Sequence, residues 1–454
     1  MDKILTDILQ AKEDRGKLRK SIGTQGNASI SLSFNIAGYP KSDNISIQAF
    51  SMVIDDLKIY LKANLISFLQ DEEVNITDKA GSFFICPLGE NKDIIKVKEI
   101  TEKFESHHFL SRIIDVDIFS SNAIPISSHK TKGCLLCNDT AIACMRNKKH
   151  SHAELRKYIF SKLSLFIDER RKIRISNKVT EIINRSLLYE VSLSPKPGLV
   201  DFNSNGSHED MNYYSFLNST SALSPYWQEI ISAAWNFDDN LSVALPCIRT
   251  IGLRAERAMF ESTNGVNTQK GLIFLMAISA FGVTYLLKNN SILNNTTLQS
   301  CIKEICNSIV DNELSNSNNN NLSHGESTYK KHGIKGAGAR YEAQQGFPVV
   351  FDHSLPYLES KSKDFSIKNK EQTDAILQNT LYLIIAKLND SNILHRKGDI
   401  VANNLKAIAN KVFIGEVKSK EAIKYCNKEG ISPGGSADML AISLFYYFIK
   451  QEII

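Results

Sequence analysis

The residue types most useful for chemistry are concentrated at positions 194–211, SPKPGLVDFNSNGSHEDM. The prolines and glycines of this stretch prevent a regular helix, so a loop is predicted. Lys196, Asp201, His208 and Asp210 lie along it and supply a cation, carboxylates and an imidazole. Such groups can hold a phosphate and move a proton on a single ligand. The competing interpretation is a surface loop whose charges are only solvated.

A second group of candidates precedes the most apolar segment of the chain. In STNGVNTQKG, Gly265 permits a turn, Thr268 is a candidate helix cap and Lys270 falls in the first turn of the next helix. The unpaired N–H groups and the positive dipole end of a helix start favour an anion. Asn267 and Lys270 are therefore predicted to bind phosphate.

A third candidate segment follows an asparagine-rich run at 316–321. The sequence SHGESTYKKHGIKGAGAR places His324 and Glu326 ahead of several cations, among them Arg340, with glycines interspersed. We predict an anion-binding lid here. The segment matches no P-loop pattern, and a merely flexible loop is the alternative.

The last candidates flank predicted helices near the C-terminus. LNDSNILHRKG supplies Asp390, Asn392 and Arg396 directly after an apolar helix. SPGGSADML then places Ser436 as a helix N-cap and Asp438 in the first turn.

The N-terminal third contains a pair of acids in RIIDVDIFSS. Asp115 and Asp117 are two residues apart on a predicted strand and so project from the same face. Two such carboxylates repel each other unless a cation lies between them, and Mg²⁺ with a phosphorylated substrate is the usual solution. Mg²⁺ is therefore expected at this pair, with Arg112 as a candidate phosphate-binding residue. The alternative is two solvated acids on an exposed face.

A cysteine-rich stretch follows, CLLCNDTAIACMRNKKH. Its side chains Cys134, Cys137, Cys144 and His150 have a spacing that permits a tetrahedral Zn²⁺ site. The spacing is not diagnostic, and buried structural thiols are the alternative.

Composition narrows the class of protein. The chain has 454 residues, of which 43% are hydrophobic and 23% charged, values typical of a globular protein with more than one domain. A net charge of +5 is small for this length, so nucleic-acid binding is not expected. The start lacks the pattern of a signal peptide, and a cytoplasmic protein is expected. Eight cysteines do not make a disulfide framework in so long a chain.

Residues 271–287, GLIFLMAISAFGVTYLL, are close to the lower length limit for a membrane span. No second such segment and no flanking charge asymmetry accompany them, so a buried helix is predicted and no membrane partner is expected.

The periodicity of apolar residues predicts two domains of different class. Alternation in ASISLSFNIA, with GSFFICP and RIIDVDIFSS, predicts strands, and helices are predicted over 1–20 and 45–69. Downstream, apolar residues recur only at helical spacing. The charged segment 166–180 marks the junction. The fold is thus an N-terminal α+β domain over 1–165 followed by a larger all-α domain over 175–454.

Motifs in the first half resemble a known family. ILQAKEDRGKLRK, SLSFNIAG, RIIDVDIF and CLLCNDTAIACMRNKKHS are similar to the citrate lyase holo-acyl-carrier-protein synthases, the apo-citrate lyase phosphoribosyl-dephospho-CoA transferases. The resemblance implies transfer of a phosphoribosyl-dephospho-CoA group to a serine of the citrate lyase acyl carrier protein, with release of pyrophosphate. That leaving group agrees with Mg²⁺ at Asp115 and Asp117.

Motifs in the second half resemble the triphosphoribosyl-dephospho-CoA synthase family. They occur in order as LLYEVSLSPKPGLVD, GSHEDMNYYSF, ALSPY, GVNTQKG, SHGE, GFP, DSNILHR and SPGGSADML. The chain departs from the family pattern at Lys397, where a glycine is usual, and at Ser323, where a threonine is usual. The resemblance implies that ATP and 3′-dephospho-CoA are joined to give 2′-(5″-triphosphoribosyl)-3′-dephospho-CoA, with release of adenine.

Glycosyl transfer of this kind needs negative charge near an oxocarbenium-like centre and groups that accept and donate protons. The candidates for charge stabilisation are Asp201, Asp210, Glu326 and Asp390. Proton transfer is assigned to His208 or His324, and triphosphate binding to Lys196, Lys270 and Arg396.

Two alternatives of another class stay open. The helical domain would be a hydrolase of a nucleotide or an ADP-ribose-like substrate if it released adenine or ribose without dephospho-CoA. The N-terminal domain would be a non-catalytic, zinc-stabilised docking module for the carrier protein if Asp115 were dispensable for transfer.

Overall fold

A computed structural model of the chain describes residues 3–90, 93–127, 131–315, 324–366 and 368–453. The chain divides into two compact units, Met1–Arg171 and Lys172–Ile454. The division falls inside one long helix, α5 (His152–Ser192), which contains the charged segment 166–180. The first unit mixes helices and strands and the second is almost entirely helical, so the predicted fold classes are confirmed.

The N-terminal unit is built on a four-stranded antiparallel sheet with the strand order β2-β3-β1-β4. Its strands are β1 (Ser29–Phe34), β2 (Val74–Asp78), β3 (Gly81–Pro87) and β4 (Ile114–Phe119). Its helices are α1 (Lys3–Thr24), α2 (Asn44–Ala63), α3 (Ile94–His107), α4 (Ala141–Arg146) and the first half of α5.

Alternation along β1 separates the two faces of this sheet. Ile30 and Leu32 are fully buried in a core that also contains side chains of α2 and α5. The serines between them point to the opposite face, where Ser31 is the register partner of Asp117 and Ser33 that of Asp115. The acid pair therefore lies on the second face of the sheet, as its spacing predicts.

The edge strand β4 is protected by side chains of α3. The buried Lys98 Nζ donates a hydrogen bond to the Val116 carbonyl at 2.8 Å, and the Glu105 carboxylate accepts one from the Val116 N–H. One step along the strand, the Ile126 N–H donates to the Ile118 carbonyl at 2.8 Å. Backbone groups that would otherwise be unpaired at a sheet edge are thus satisfied within the unit.

The C-terminal unit consists of helices that follow the second half of α5. They are α6 (Tyr213–Trp235), α7 (Leu245–Ser262), α8 (Lys270–Lys288), α9 (Asn295–Ile305), α10 (His324–His332), α11 (Gly338–Gln344), α12 (Leu355–Ser360), α13 (Lys370–Lys387), α14 (Ser391–Phe413), α15 (Ser419–Glu429) and α16 (Gly434–Glu452). Helix α14 is kinked at Gly398, whose φ of 75° lies in the region that glycine tolerates best.

Helix α8 lies at the centre of this unit. By length and composition it could cross a membrane, but 72% of its apolar window is buried inside the unit. Its neighbours include α6, α7 and α16, and α16 is itself buried from Met439 to Ile449. The prediction of a buried helix agrees with this placement, because an all-apolar helix needs partners on every side.

Candidate active sites

The loops singled out by the sequence meet at one cavity of about 520 Å³ in the C-terminal unit. Its wall is formed by the loop before α6, the start of α8, the segment around α10 and α11, the start of α14 and the start of α16. Most of these contributors are loops or helix N-termini, where backbone N–H groups are unpaired and attract anions. The predicted site residues that line the cavity are His208, Asp210, Asn267, Lys270, Asp390, Asn392 and Arg396.

Asp390 connects two of these helix starts. It is the N-cap of α14, where one carboxylate oxygen accepts a hydrogen bond from the Asn392 N–H at 3.0 Å. Its other oxygen accepts from the Ser436 N–H of α16 at 2.9 Å, and Gly435, which has no side chain, gives it room. Burial raises the pKa of Asp390. Since the carboxylate is occupied by backbone donors, Asp390 positions the site and is poorly placed to stabilise charge on a substrate.

Lys196 and Asp201 do not line the cavity. The Asp201 carboxylate accepts hydrogen bonds from the Ser194 hydroxyl at 3.0 Å and the Ser204 N–H at 2.9 Å. The buried Lys196 ammonium is paired with the Glu190 carboxylate at 2.5 Å. Because Glu190 already neutralises Lys196, the structure does not support the predicted phosphate-binding role, and both Lys196 and Asp201 instead fix the loop.

His208 and Arg396 face the cavity from different loops. Burial, followed by the positive charge of Arg396, lowers the pKa of His208, so the imidazole is neutral near pH 7. Asp210 is exposed, and its carboxylate lies 3.8 Å from His208 Nδ1. A neutral imidazole beside a carboxylate is suited to accept a proton from a hydroxyl group.

The start of α8 supplies the second cationic element of the cavity. The Asn267 side chain accepts a hydrogen bond from the Lys270 N–H at 3.1 Å, so Asn267 and not the predicted Thr268 contacts the first helical turn. Lys270, whose side chain is 54% exposed, forms an ion pair with Glu256 at 3.0 Å. Exchange of that weak pair for a phosphate costs little.

Two residues of the cavity wall were not among the predicted site residues. Gln269 is 3% exposed; its side-chain oxygen accepts from the Ser219 hydroxyl, while its Nε2 has no partner in the described part of the chain. Asp438, in the first turns of α16, lies against Gly271 of α8. The sequence predicted Ser436 as the helix N-cap and Asp438 in the first turn, but α16 begins earlier, at Gly434, so both assignments are wrong. Only the packing of α16 on α8 reveals that Asp438 faces the cavity.

Only part of the predicted lid lines the cavity. Thr328 and Gly338 reach the cavity wall, whereas Arg340 does not line it. The side chains of His324 and Glu326 lie outside what the structure describes.

In the N-terminal unit, Asp115 and Asp117 lie beside cations. Lys132 forms an ion pair with Asp115. Burial, followed by the charge of Asp115, raises the pKa of Asp117, and the nearby cations Lys98, Lys132 and Arg19 act in the opposite direction. The pair is therefore a region of incompletely compensated negative charge, which a divalent cation would relieve.

Arg112 lies on the wall of a separate cavity of about 340 Å³ in the same unit. Tyr158 and Lys162 of α5 line it as well, together with residues 134–138 of the cysteine-rich stretch. The Arg112 guanidinium donates a hydrogen bond to the Cys134 carbonyl, so part of its donor capacity is used to hold that stretch in place.

The four predicted zinc ligands do come together. The ligand atoms of Cys134, Cys137, Cys144 and His150 all lie within 4.8 Å of one another. The amide groups of Leu136 and Cys137 lower the pKa of Cys134 to about 6, although burial acts to raise it. The His150 Nε2 atom is buried and has no hydrogen-bond partner among the described residues.

The helical unit has a cavity that brings together acids, an imidazole and cations. The α+β unit that precedes it in the chain carries paired carboxylates. Together these features indicate a two-domain transferase. The chain belongs to the ATP:dephospho-CoA triphosphoribosyl transferase family (CitG), whose family model matches residues 176–453. The model of the apo-citrate lyase phosphoribosyl-dephospho-CoA transferase family (CitX) matches residues 3–165. The families predicted from the motifs are confirmed, in the predicted order.

Curated relatives agree with this assignment. The chain is 31% identical to Protein CitXG of Leuconostoc mesenteroides subsp. cremoris, over 97% of this chain and 96% of that protein. It is 33% identical to a probable 2-(5″-triphosphoribosyl)-3′-dephosphocoenzyme-A synthase of Photobacterium profundum, over 60% of this chain and 87% of that protein. The corresponding protein of Streptococcus mutans is 32% identical over 59% of this chain and 95% of its own length. The chain is a bifunctional transferase of citrate lyase prosthetic-group maturation.

Proposed function

We propose that the chain makes the citrate lyase prosthetic-group precursor in its C-terminal domain and attaches it to the lyase in its N-terminal domain. The first reaction joins ATP and 3′-dephospho-CoA to give 2′-(5″-triphosphoribosyl)-3′-dephospho-CoA and adenine. The second transfers the phosphoribosyl-dephospho-CoA group to a serine of the citrate lyase acyl carrier protein and releases pyrophosphate. Both take place in the cytoplasm, where ATP and dephospho-CoA are available.

The observation that carries the proposal is the meeting of Lys270, Arg396 and His208 at one cavity with the start of α8. A volume of about 520 Å³ lies within the range typical of small-molecule sites. Cations and a helix N-terminus suit a triphosphate, and an imidazole suits the activation of a hydroxyl group.

In the first reaction, Lys270, Arg396 and the first turn of α8 bind the triphosphate of ATP. Asn267 holds that turn in shape through its hydrogen bond to the Lys270 N–H. His208 accepts the proton of the attacking 2′-hydroxyl group of dephospho-CoA, and Asp210 stabilises the imidazolium that results. Asp390 keeps the starts of α14 and α16 together so that these groups converge.

In the second reaction, Asp115 and Asp117 hold Mg²⁺ and Arg112 contributes to phosphate binding. When bound, Mg²⁺ supplies neutralisation of the charge that builds up on the pyrophosphate leaving group. The incompletely compensated charge of this pair supports the assignment.

The cysteine-rich stretch binds Zn²⁺ through Cys134, Cys137, Cys144 and His150. The convergence of four ligand atoms, the favoured thiolate of Cys134 and the unpartnered His150 nitrogen support a structural site. Zinc there would hold residues 134–138, which form one wall of the cavity that contains Arg112.

The test is a reconstitution with ATP, dephospho-CoA and the unmodified citrate lyase acyl carrier protein. Mass spectrometry should show the carrier gain the mass of one phosphoribosyl-dephospho-CoA group, with adenine and pyrophosphate released in equal amounts. Two variants separate the steps. Asp115→Asn should release adenine without modifying the carrier, and His208→Ala should release no adenine.

Addition of the isolated triphosphoribosyl intermediate should restore carrier modification by His208→Ala but not by Asp115→Asn. An unchanged carrier mass, with both substrates demonstrably bound by the wild-type chain, would count against the proposal. Release of adenine or ribose in the absence of dephospho-CoA would identify a hydrolase instead.

A further inference from the structure

Three carboxylates line the cavity of the C-terminal unit from buried or half-buried positions, and two of them are already engaged. Glu190 is paired with the Lys196 ammonium at 2.5 Å. Asp390 is bonded to the N–H groups of Asn392 and Ser436 at the starts of two helices. Neither carboxylate can exchange a proton with a ligand without breaking contacts that hold the site.

Asp438 is the third, and it is placed differently. Its carboxylate lies against the first turn of α8, where a β-carbon on Gly271 would be only 2.5 Å from Asp438 Oδ2. The charges that act on it come from Glu190, which is itself paired with Lys196, and from Asp390. An acid of this kind, half-buried on a cavity wall, keeps its proton more easily than an acid in water does.

We propose that Asp438 is a catalytic residue of the synthase reaction, the general acid that protonates the adenine ring as it leaves the ribose of ATP, opposite His208 as the base. This inference rests on the function proposed above for the C-terminal cavity and names a proton donor for adenine, which the proposed mechanism leaves unassigned.

The protons and bonds of the step balance. The C1″–N9 bond of ATP breaks and its electron pair goes to adenine, which takes a proton from Asp438 and leaves neutral. The bond between C1″ and the 2′-oxygen of dephospho-CoA forms, and the hydroxyl proton goes to His208. Asp438 then carries a negative charge and His208 a positive one, and both return to their starting forms by proton exchange with water.

The pKa values of the two groups move in the directions that these roles require. Burial, followed by the negative charges of Glu190 and Asp390, raises the pKa of Asp438 well above its ordinary value. Burial and Arg396 lower the pKa of His208. The environment of Asp438 thus favours its protonated form and that of His208 its neutral form, which is how a pair of groups in different environments divides acid and base roles.

Gln269 adds an independent indication of a nitrogen heterocycle near Asp438. It is buried, it directly precedes α8, and its Nε2 donor lacks a partner in the described part of the chain. A buried amide donor left unpaired costs about 1–3 kcal/mol. A purine, whose ring nitrogens accept hydrogen bonds, would satisfy that donor as well as the Asp438 proton.

The experiment compares the full-length wild type with Asp438→Asn, which keeps the shape of the side chain but cannot donate a carboxylic proton. Adenine release is measured with ATP and dephospho-CoA, and the dissociation constant of ATP is measured separately. We expect kcat to fall at least 100-fold with Asp438→Asn, while the dissociation constant of ATP stays within about threefold. The control variant Asp374→Asn, at an exposed ion pair with Lys370, should match the wild type.

A second substrate distinguishes acid catalysis from a structural role. In N7-methylated ATP the base already carries a positive charge and leaves without a proton. On this substrate the deficit of Asp438→Asn should shrink to less than about fivefold. Equal deficits on both substrates, or a kcat within threefold of the wild type on ATP, would overturn the inference. Failure of the wild type itself to release adenine in the presence of dephospho-CoA would instead refute the proposed function.

Discussion

The Asp390 carboxylate accepts a hydrogen bond from the Ser436 N–H at 2.9 Å, and this contact between residues 46 positions apart in the chain joins the starts of two helices. Asp390 is also the N-cap of α14, so a single side chain serves two helix N-termini at once. The arrangement brings Arg396 and Asp438 to the same cavity. The parts of the candidate site that come from α14 and α16 therefore depend on one buried acid.

Replacement of Asp390 should destabilise the C-terminal domain. We expect Asp390→Ala to lower its free energy of unfolding by about 2–4 kcal/mol, because one helix cap and one charge-assisted hydrogen bond are lost together. Both tryptophans, Trp227 and Trp235, lie on α6 of this domain, so tryptophan fluorescence in urea reports its unfolding. Asp374→Ala, at an exposed ion pair, should change stability by less than about 0.5 kcal/mol. Equal stability of the two variants would contradict the structural role of Asp390.

Substitution at Gly271 should separate stability from activity. A methyl group there would displace the Asp438 carboxylate, since the β-carbon would lie 2.5 Å from Oδ2. We expect Gly271→Ala to reduce adenine release at least tenfold, while the helical preference of alanine stabilises α8 by up to about 1 kcal/mol. Gly252→Ala in α7, where no atom lies within 4 Å of the added carbon, is the matched control and should retain full activity. The expectation fails if the two variants are equally active.

Glu342 should make the stability of the C-terminal domain depend on pH. Burial, opposed by the hydrogen bond from the Val349 N–H, raises the pKa of Glu342 from 4.5 to about 7. The folded state therefore binds more protons than the unfolded state between these values, and stability falls as the pH rises through this window. Glu342→Gln removes that loss.

As the pH rises from 4.5 to 8, we expect the free energy of unfolding of Glu342→Gln to increase by about 2–3 kcal/mol relative to that of the wild type. Urea titrations followed by tryptophan fluorescence at several pH values measure the difference. Parallel curves for the two proteins would show that Glu342 does not titrate in this range.

The cysteine-rich stretch should determine the zinc content. Elemental analysis of protein purified with Zn²⁺ and dialysed should give about one zinc per chain for the wild type. Cys137→Ser should lose most of it, because three ligands hold zinc much more weakly than four. Cys247→Ser, which alters an exposed cysteine of the C-terminal domain, is the control and should keep the metal. Full retention of zinc by Cys137→Ser would exclude the proposed ligand set.

Sequence periodicity predicted local structure well where the pattern was long. The alternation of Ile30 and Leu32 located β1, and the apolar run of α8 was correctly assigned to a buried helix. The short strand β2 (Val74–Asp78) was missed, because five residues with three half-buried and two exposed side chains carry little apolar pattern.

Loop composition predicted where the cavity residues would lie but not what each side chain contacts. Lys196 was expected to bind a phosphate, yet its partner is Glu190 of the preceding helix. Only the structure shows that these two side chains are buried as a pair. Asp438 was recognised only as a residue of a helix start, because its approach to Gly271 depends on the packing of α16 against α8. Tertiary contacts decide which acid is hydrogen-bonded within the protein and which can reach a ligand. Local sequence patterns do not reveal these contacts.

The occupied edge of β4 has a consequence for how another polypeptide can approach the N-terminal domain. Lys98 and Glu105 take up both polar backbone groups of Val116, and Ile126 takes up the carbonyl of Ile118. These three backbone groups are therefore not available for hydrogen bonds to a strand of another chain. A partner polypeptide would therefore be recognised at this border through side chains and surface shape, and this edge of the sheet is protected against edge-to-edge aggregation.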